Sequence, residues 1–275
     1  MTMELKDKLL VFTLTTGRSG SGLLACIMDS IPVVSARHEP APSFEKIYQK
    51  IRKHPNPRES SDLFKWWLDI KLPVIDKAPG PVYIETSHLF CKGFMESFIR
   101  VAETLGISYK FIILTRDNHQ VAQSMYELNT VPGKTPKGSY WYMVPGEPNT
   151  FTNLPGWGSL HDYQLCYWYT LEIQARINHA MIIYPDRCVS IDLYDLTHNR
   201  EKVMVFLQGF GLEQYADSRF WSRWETLIHS RINNKDGSKD SKKLPQDYLE
   251  RLRAEVYNRI YYKKKIEDQE TEVLS

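Results

Sequence analysis

Three groups of residues in this sequence combine types that can hold an anion or move a proton. The first is Thr16-Gly17-Arg18-Ser19-Gly20-Ser21-Gly22. Glycines let a phosphate approach the backbone, a helix start offers unpaired N–H donors, and arginine adds a fixed charge with a fork of donors. Ser19 and Ser21 add hydroxyls. The second stretch is Thr115-Arg116-Asp117, with Ser124 eight positions after Arg116. Arg116 can clamp a phosphate, and Ser124, about two helical turns on, can donate a second hydrogen bond. Two separated anion anchors suit a ligand with two phosphate groups. The third is a pair of proton acceptors, Glu39 in Arg37-His38-Glu39-Pro40 and His88 in Glu85-Thr86-Ser87-His88. Either type serves as a general base when it lies within hydrogen-bond reach of a hydroxyl or amine. Arg37 and His38, beside Glu39, are further candidates for acceptor contacts.

The elements that must position these groups read as alternating strands and helices. Leu9–Leu14 is a short apolar run, the pattern of a strand buried on both faces. The glycine-rich loop follows at once, and Leu23, Leu24, Ile27 and Met28 then recur at helical spacing. The loop therefore joins a strand to a helix. Strands are expected at Val33–Ser35, Val82–Thr86, Tyr109–Leu114 and Arg187–Leu193. Helices are expected over Phe44–Lys53, Asp62–Lys71, Gly93–Leu105 with Gly106 as its stop, Asp117–Leu128, Leu160–Met181, Asn199–Gln208 and Asp247–Lys265. Alternation of this kind predicts an α/β fold, a parallel β-sheet flanked by helices. The whole chain, 1–275, is expected to form a single domain.

Residues 129–158 change character. Prolines and glycines are frequent there, interleaved with Tyr140, Trp141, Tyr142, Phe151 and Trp157. A loop this long is uncommon in a compact domain and usually functional, so a substrate-covering role competes with a surface excursion packed by its own aromatics. Trp66, Trp67, Tyr140, Trp141, Tyr142 and Trp157 are candidate walls of an acceptor pocket, whereas Tyr167 and Trp168 read as packing residues.

Composition bounds the function. The chain has 275 residues, 42% hydrophobic and 25% charged, with a net charge of +2. That excludes wholesale disorder and argues against a sequence-wide nucleic-acid binder, but leaves room for a local anion site. The basic stretch Lys242–Lys265 reads as a solvated helix face. No apolar run approaches the ~18 residues of a membrane span. No secretory signal is visible at the N-terminus. Four scattered cysteines, Cys26, Cys91, Cys166 and Cys188, form no CxxC pair and read as reduced thiols. A cytoplasmic location is the expectation. His54, His119 and His161 lack metal-ligand spacing, and no metal is expected.

The first loop is not a Walker A loop. Gly17 and Gly22 have the right separation, but Leu23 and Leu24 replace the Lys and Ser/Thr that magnesium-dependent nucleotide hydrolysis requires. The ordered set instead resembles the sulfotransferases that use 3′-phosphoadenosine 5′-phosphosulfate (PAPS). Their phosphosulfate loop reads like GRSGS after the first strand. Their 3′-phosphate motif is a strand ending in RDP, with Arg and Ser eight positions apart. Tyr194-Asp195-Leu196 is similar to their late Y-E-D-L segment, one residue shorter. Asn118 stands in place of the usual Pro, and Leu23 in place of a Trp that stacks on adenine in many cytosolic members.

The resemblance implies a P-loop nucleotide-kinase-like three-layer sandwich, with PAPS as co-substrate. It implies transfer of a sulfuryl group to a hydroxyl or amine of a small-molecule, glycan or lipid acceptor, with no nucleic-acid partner. It carries the donor-binding role to Thr16, Gly17, Arg18, Ser19, Gly20, Ser21, Gly22, Arg116 and Ser124. Arg231, with Asn233 and Lys235, is a candidate for closing over the 3′-phosphate. Arg18 would also stabilise the leaving phosphate. Glu39 is favoured as base, by similarity to the tyrosylprotein and several bacterial sulfotransferases. His88 is second, since Glu85–Leu89 resembles the K-T-H-L segment of the phenol and steroid enzymes without its Lys. Rival readings are a P-loop kinase-like phosphotransferase and a non-catalytic nucleotide- or nucleic-acid-binding protein.

Overall fold

The computed structural model describes residues 5–56, 59–230 and 244–273, with side chains as far as 261. The chain divides into two compact units. One comprises Met1–Arg116 and Arg176–Lys235, the other Asp117–Ala175 and Asp236–Ser275.

The first unit is built on a five-stranded sheet in the order β2-β3-β1-β4-β5, every neighbouring pair parallel. The strands are β1 (Leu9–Leu14), β2 (Val34–His38), β3 (Val82–Thr86), β4 (Ser108–Thr115) and β5 (Cys188–Asp192). Strand β1 is central, which explains its unbroken apolar run: residues Leu10 to Leu14 are all buried. Side chains alternate between faces along a strand. Val11 points into one core with α1 (Ser21–Met28), α10 (Arg200–Gln208) and α11 (Ser218–His229), through Leu24, Phe206 and Trp224 among others. Phe12 points the other way, stacked on Phe90 at 4.5 Å between ring centroids and edge-on to Phe98 of α5 (Met95–Leu105) at 4.7 Å. Helices thus cover both faces, as the alternation predicts.

The same aromatic core claims Trp66 and Trp67, which the sequence offered as pocket walls. Trp67 is fully buried, edge-on to Phe12, and its Nε1 donates to Ser97 Oγ at 3.0 Å. Trp66 packs on Phe44 and Phe94. Their helix also runs past its expected end at Lys71. It continues as α3 (Ser61–Trp66), a π-helical turn (Trp67–Lys71) and α4 (Leu72–Asp76). Pro73 is tolerated because it falls in the opening turn of the segment that restarts after the π turn. Between β2 and α3 lies α2 (Glu45–Ile51). After β5 the chain turns directly into α9 (Leu193–His198), one residue earlier than the expected strand end.

The second unit holds α6 (Asn118–Glu127), α7 (Pro136–Trp141) and α12 (Gln246–Val273), and α8 (Asp162–Ile183) begins in it. Asp117 caps α6 by accepting the Gln120 amide at 2.9 Å. Leu249, Leu252, Val256 and Ile260 form the buried stripe of α12; of the expected basic face, Arg251 lies outward whereas Arg253 is mostly covered. Residues 129–158 are more ordered than a surface excursion. Val131, Tyr142, Met143 and Leu154 are buried, and Tyr142 packs edge-on to Tyr169 at 4.7 Å. As expected, Trp168 is core, and its Nε1 donates to the Thr152 carbonyl at 3.2 Å. The reason the stretch can be buried is Glu172. Its carboxylate, itself fully buried, accepts the Phe151 amide, the Thr152 amide and the Thr152 hydroxyl at 2.7–3.0 Å. An orphaned buried donor costs about 1–3 kcal/mol. Glu172→Leu therefore lowers the unfolding free energy by about 3 kcal/mol or more, measured by urea denaturation. A loss below about 1 kcal/mol would show that the carboxylate does not hold this stretch in place.

Candidate active site

Because all five strands are parallel, their carboxyl ends share one edge of the sheet, where open α/β sheets bind ligands. Four of the sequence-predicted groups of the first unit stand there. Thr16–Gly22 follows β1, Glu39 follows β2, His88 follows β3 by two residues, and Arg116 follows β4.

The β1–α1 loop is a tight curl. Gly17, Arg18 and Gly20 have φ of 78°, 58° and 83°, all in the left-handed region. Left-handed residues in a turn can direct backbone amides toward an anion. Helix α1 starts at Gly20 without a side-chain cap, so its first amides are not taken up by a capping oxygen. The Thr16 and Ser19 hydroxyls lie 2.6 Å apart, and both are within hydrogen-bond reach of the Gly17 carbonyl. Ser19 is fully buried, and its hydroxyl braces the loop. Arg116 Nη1 donates to the Arg18 carbonyl at 2.8 Å, which brings the β4 end against the first loop. At Gly20 an added Cβ would lie 2.5 Å from Leu193 Cδ1, so α9 also packs directly on the loop.

Glu39 is one of three non-glycine residues with positive φ among the described residues, with Arg18 and Asn129. Such a conformation costs about 1–2 kcal/mol, and strain of this size gathers where a ligand or reaction demands it. The Glu39 amide donates to the Thr86 carbonyl at 3.2 Å, so the turn is tied to β3. Its Oε1 lies 3.6 Å from His88 Nε2. His88 Nδ1 lies 2.8 Å from the Nζ of Lys92, a fully buried residue. A lysine ammonium has donors only, so with Lys92 charged Nδ1 accepts. The two candidate bases stand side by side, with Lys92 behind His88.

Lys92 escaped the sequence reading. The available signal was one charge inside the apolar run Leu89-Phe90-Cys91-Lys92-Gly93-Phe94, which must find a partner when buried. Nearby, Arg37 is paired with Asp29 at 2.9 Å on the surface, and His38 Nδ1 lies 2.9 Å from the Thr86 carbonyl. Burial pushes the Cys91 thiol up, away from the thiolate. Tyr194 is 68% exposed, its ring stacked on His198 at 4.5 Å. Ser124 stands half-buried on α6, in the second unit. Arg231, Asn233 and Lys235 lie outside the described residues.

No protein-family model and no curated protein matches the chain. Among solved structures it is similar to the sulfotransferase domain from the Synechococcus PCC 7002 olefin synthase. The alignment covers 92% of this chain and 96% of that one, at 16% identity and a TM-score of 0.49. A likeness at that level carries no weight for function, which must rest on the geometry. Among the described residues, no helix is long and apolar enough to cross a membrane.

The loop and the base pair touch at one point. A Cβ on Gly17 would lie 3.2 Å from both Cβ and Cγ of His88, at a φ that side chains rarely adopt. Gly17→Ala should therefore weaken pyrophosphate binding roughly tenfold, about 1.4 kcal/mol, and shift the His88 imidazole resonances. Gly106→Ala is the control, with φ of 67° and open space at Cβ. It should reduce stability and leave pyrophosphate affinity unchanged. Calorimetry and histidine-resolved NMR check both outcomes, and equal losses of affinity in the two variants would refute the contact.

Proposed function

We propose that this protein is a sulfotransferase that moves the sulfuryl group of PAPS to a hydroxyl or amine of an acceptor. What carries the reading is the conjunction at one sheet edge. A left-handed anion loop has its Arg18 carbonyl held by Arg116, and His88 packs on Gly17 with Glu39 3.6 Å away. An anion site beside a placed carboxylate suits in-line group transfer better than binding alone.

The loop amides and Arg18 would hold the 5′-phosphosulfate. Arg116 would hold the 3′-phosphate and so align the donor. The acceptor oxygen or nitrogen attacks sulfur, and its proton passes to the Glu39 carboxylate. The bond from sulfur to the 5′-phosphate oxygen breaks. That oxygen leaves with the electron pair, and Arg18 and the amides stabilise its charge. The product 3′-phosphoadenosine 5′-phosphate (PAP) remains in the donor site. With Lys92 donating to Nδ1, the His88 ring proton would sit on Nε2 and orient Glu39, which supports Glu39 rather than His88 as base. Positive charge on the leaving group comes here from fixed side chains and amides.

Calorimetry should show PAP binding well above ATP. Arg116→Ala should weaken PAP about ten- to a hundredfold, the loss of a charge-assisted hydrogen bond of about 1.5–3 kcal/mol. Glu39→Gln should lower kcat by about 10²–10⁴ and leave PAP affinity unchanged, with turnover read by labelled PAPS over a panel of acceptors. His88→Ala should cost less than Glu39→Gln. Full turnover in Glu39→Gln, or no preference for PAP over ATP, would sink the reading.

A further inference from the structure

Behind the Glu39 turn lies a buried ion pair that this chemistry does not use. The side chains of Lys71 and Glu85 are 1% and 0% exposed, with Nζ 2.7 Å from the carboxylate oxygens. Tyr83 Oη donates to the same carboxylate at 2.8 Å. Burial pushes the Lys71 ammonium down and the Glu85 carboxyl up, the direction expected when charge leaves water. A buried pair of this kind stabilises a fold little, and well-packed apolar residues often serve as well. Stability is therefore a poor account of it.

Geometry supplies a better one. Lys71 Nζ also donates to the Pro42 carbonyl at 2.9 Å and lies 4.8 Å from the centre of the Phe44 ring. The turn Glu39-Pro40-Ala41-Pro42 is thus held at both ends from β3. Thr86 holds its start through the Glu39 amide, and Glu85 holds its end through Lys71. Register places these anchors side by side, since Arg37 pairs with Glu85 and His38 with Thr86. The peg stands in the π turn, where Trp67 and Lys71, four residues apart, are buried on one face with Leu63 and Ile75.

We infer that Lys71 and Glu85 are positioning residues: their buried pair fixes the Pro42 carbonyl and through it holds the Glu39 turn in its left-handed conformation against His88. The catalytic consequence rests on the sulfotransferase reading, whereas the anchoring rests on the contacts alone.

The test uses Lys71→Met and the neutral pair Lys71→Met/Glu85→Gln, in which the side-chain amide introduced at position 85 still accepts from Tyr83. Hydrogen exchange followed by mass spectrometry reads the Glu39 and Ala41 amides, with β1 and β4 as internal references. Exchange in the turn should rise about tenfold or more, with β1 and β4 within about twofold. In the same variants kcat should fall about tenfold while PAP affinity holds. Unchanged exchange at Glu39, equal acceleration in β1 and β4, or failure of both variants to fold would each overturn the positioning role in favour of a purely structural one. If the wild-type protein transfers nothing from PAPS, the functional reading falls, and localised exchange still establishes the anchor.

Discussion

The parallel hydrogen-bond ladder is the constraint on which the rest depends. In a parallel sheet every strand delivers its carboxyl end to the same edge, so residues far apart in sequence arrive together without any pairwise attraction between them. Here it brings the loop after β1, the turn after β2, His88 after β3 and Arg116 after β4 to one line. Strand β1 lies between β3 and β4, so its loop has the His88 segment on one side and Arg116 on the other. Each neighbour then makes a direct contact with that loop, His88 at Gly17 and Arg116 at the Arg18 carbonyl.

At this edge the protein departs from local economy. Arg18 and Glu39 adopt a backbone conformation that glycine would adopt more cheaply, and Lys71, Glu85 and Lys92 are charged side chains inside a core of aromatic rings. Departures of this kind are sustained only where the surroundings over-determine them. The contacts that do so are specific. Thr86 and Lys71 grip the Glu39 turn, Lys92 stands within hydrogen-bond distance of His88 Nδ1, and Arg116 holds the carbonyl of Arg18. A free surface loop would relax out of such a shape.

Much of this was legible in the residues. Apolar runs located the strands because a sheet covered on both faces selects for continuous hydrophobicity, and Val82–Thr86 matches β3 residue for residue. The glycine-rich loop was legible because φ beyond zero restricts residue choice. What escaped has physical reasons. Strand order is a long-range property with no local signature. Trp66 and Trp67 were ambiguous because an aromatic ring suits a core and a pocket wall equally. Lys71 was hidden because a lysine four residues after Trp67 reads as the polar end of a helix, and its partner Glu85 lies on a strand far along the chain. Glu172 was hidden because its partners are backbone amides, which carry no sequence label. Helix α11 does carry a readable cap and stripe, Asp217 followed by Phe220, Trp224 and Leu227, diluted by Trp221 and two arginines.

The order of the strands also has a bearing on how the chain is made. β4 ends at Thr115, but its outer neighbour β5 begins only at Cys188. On a ribosome adding about 5–20 residues per second, several seconds pass before that partner emerges. For that interval the nascent sheet carries a raw margin of unpaired amides and carbonyls, the sort of margin that recruits strands from other chains.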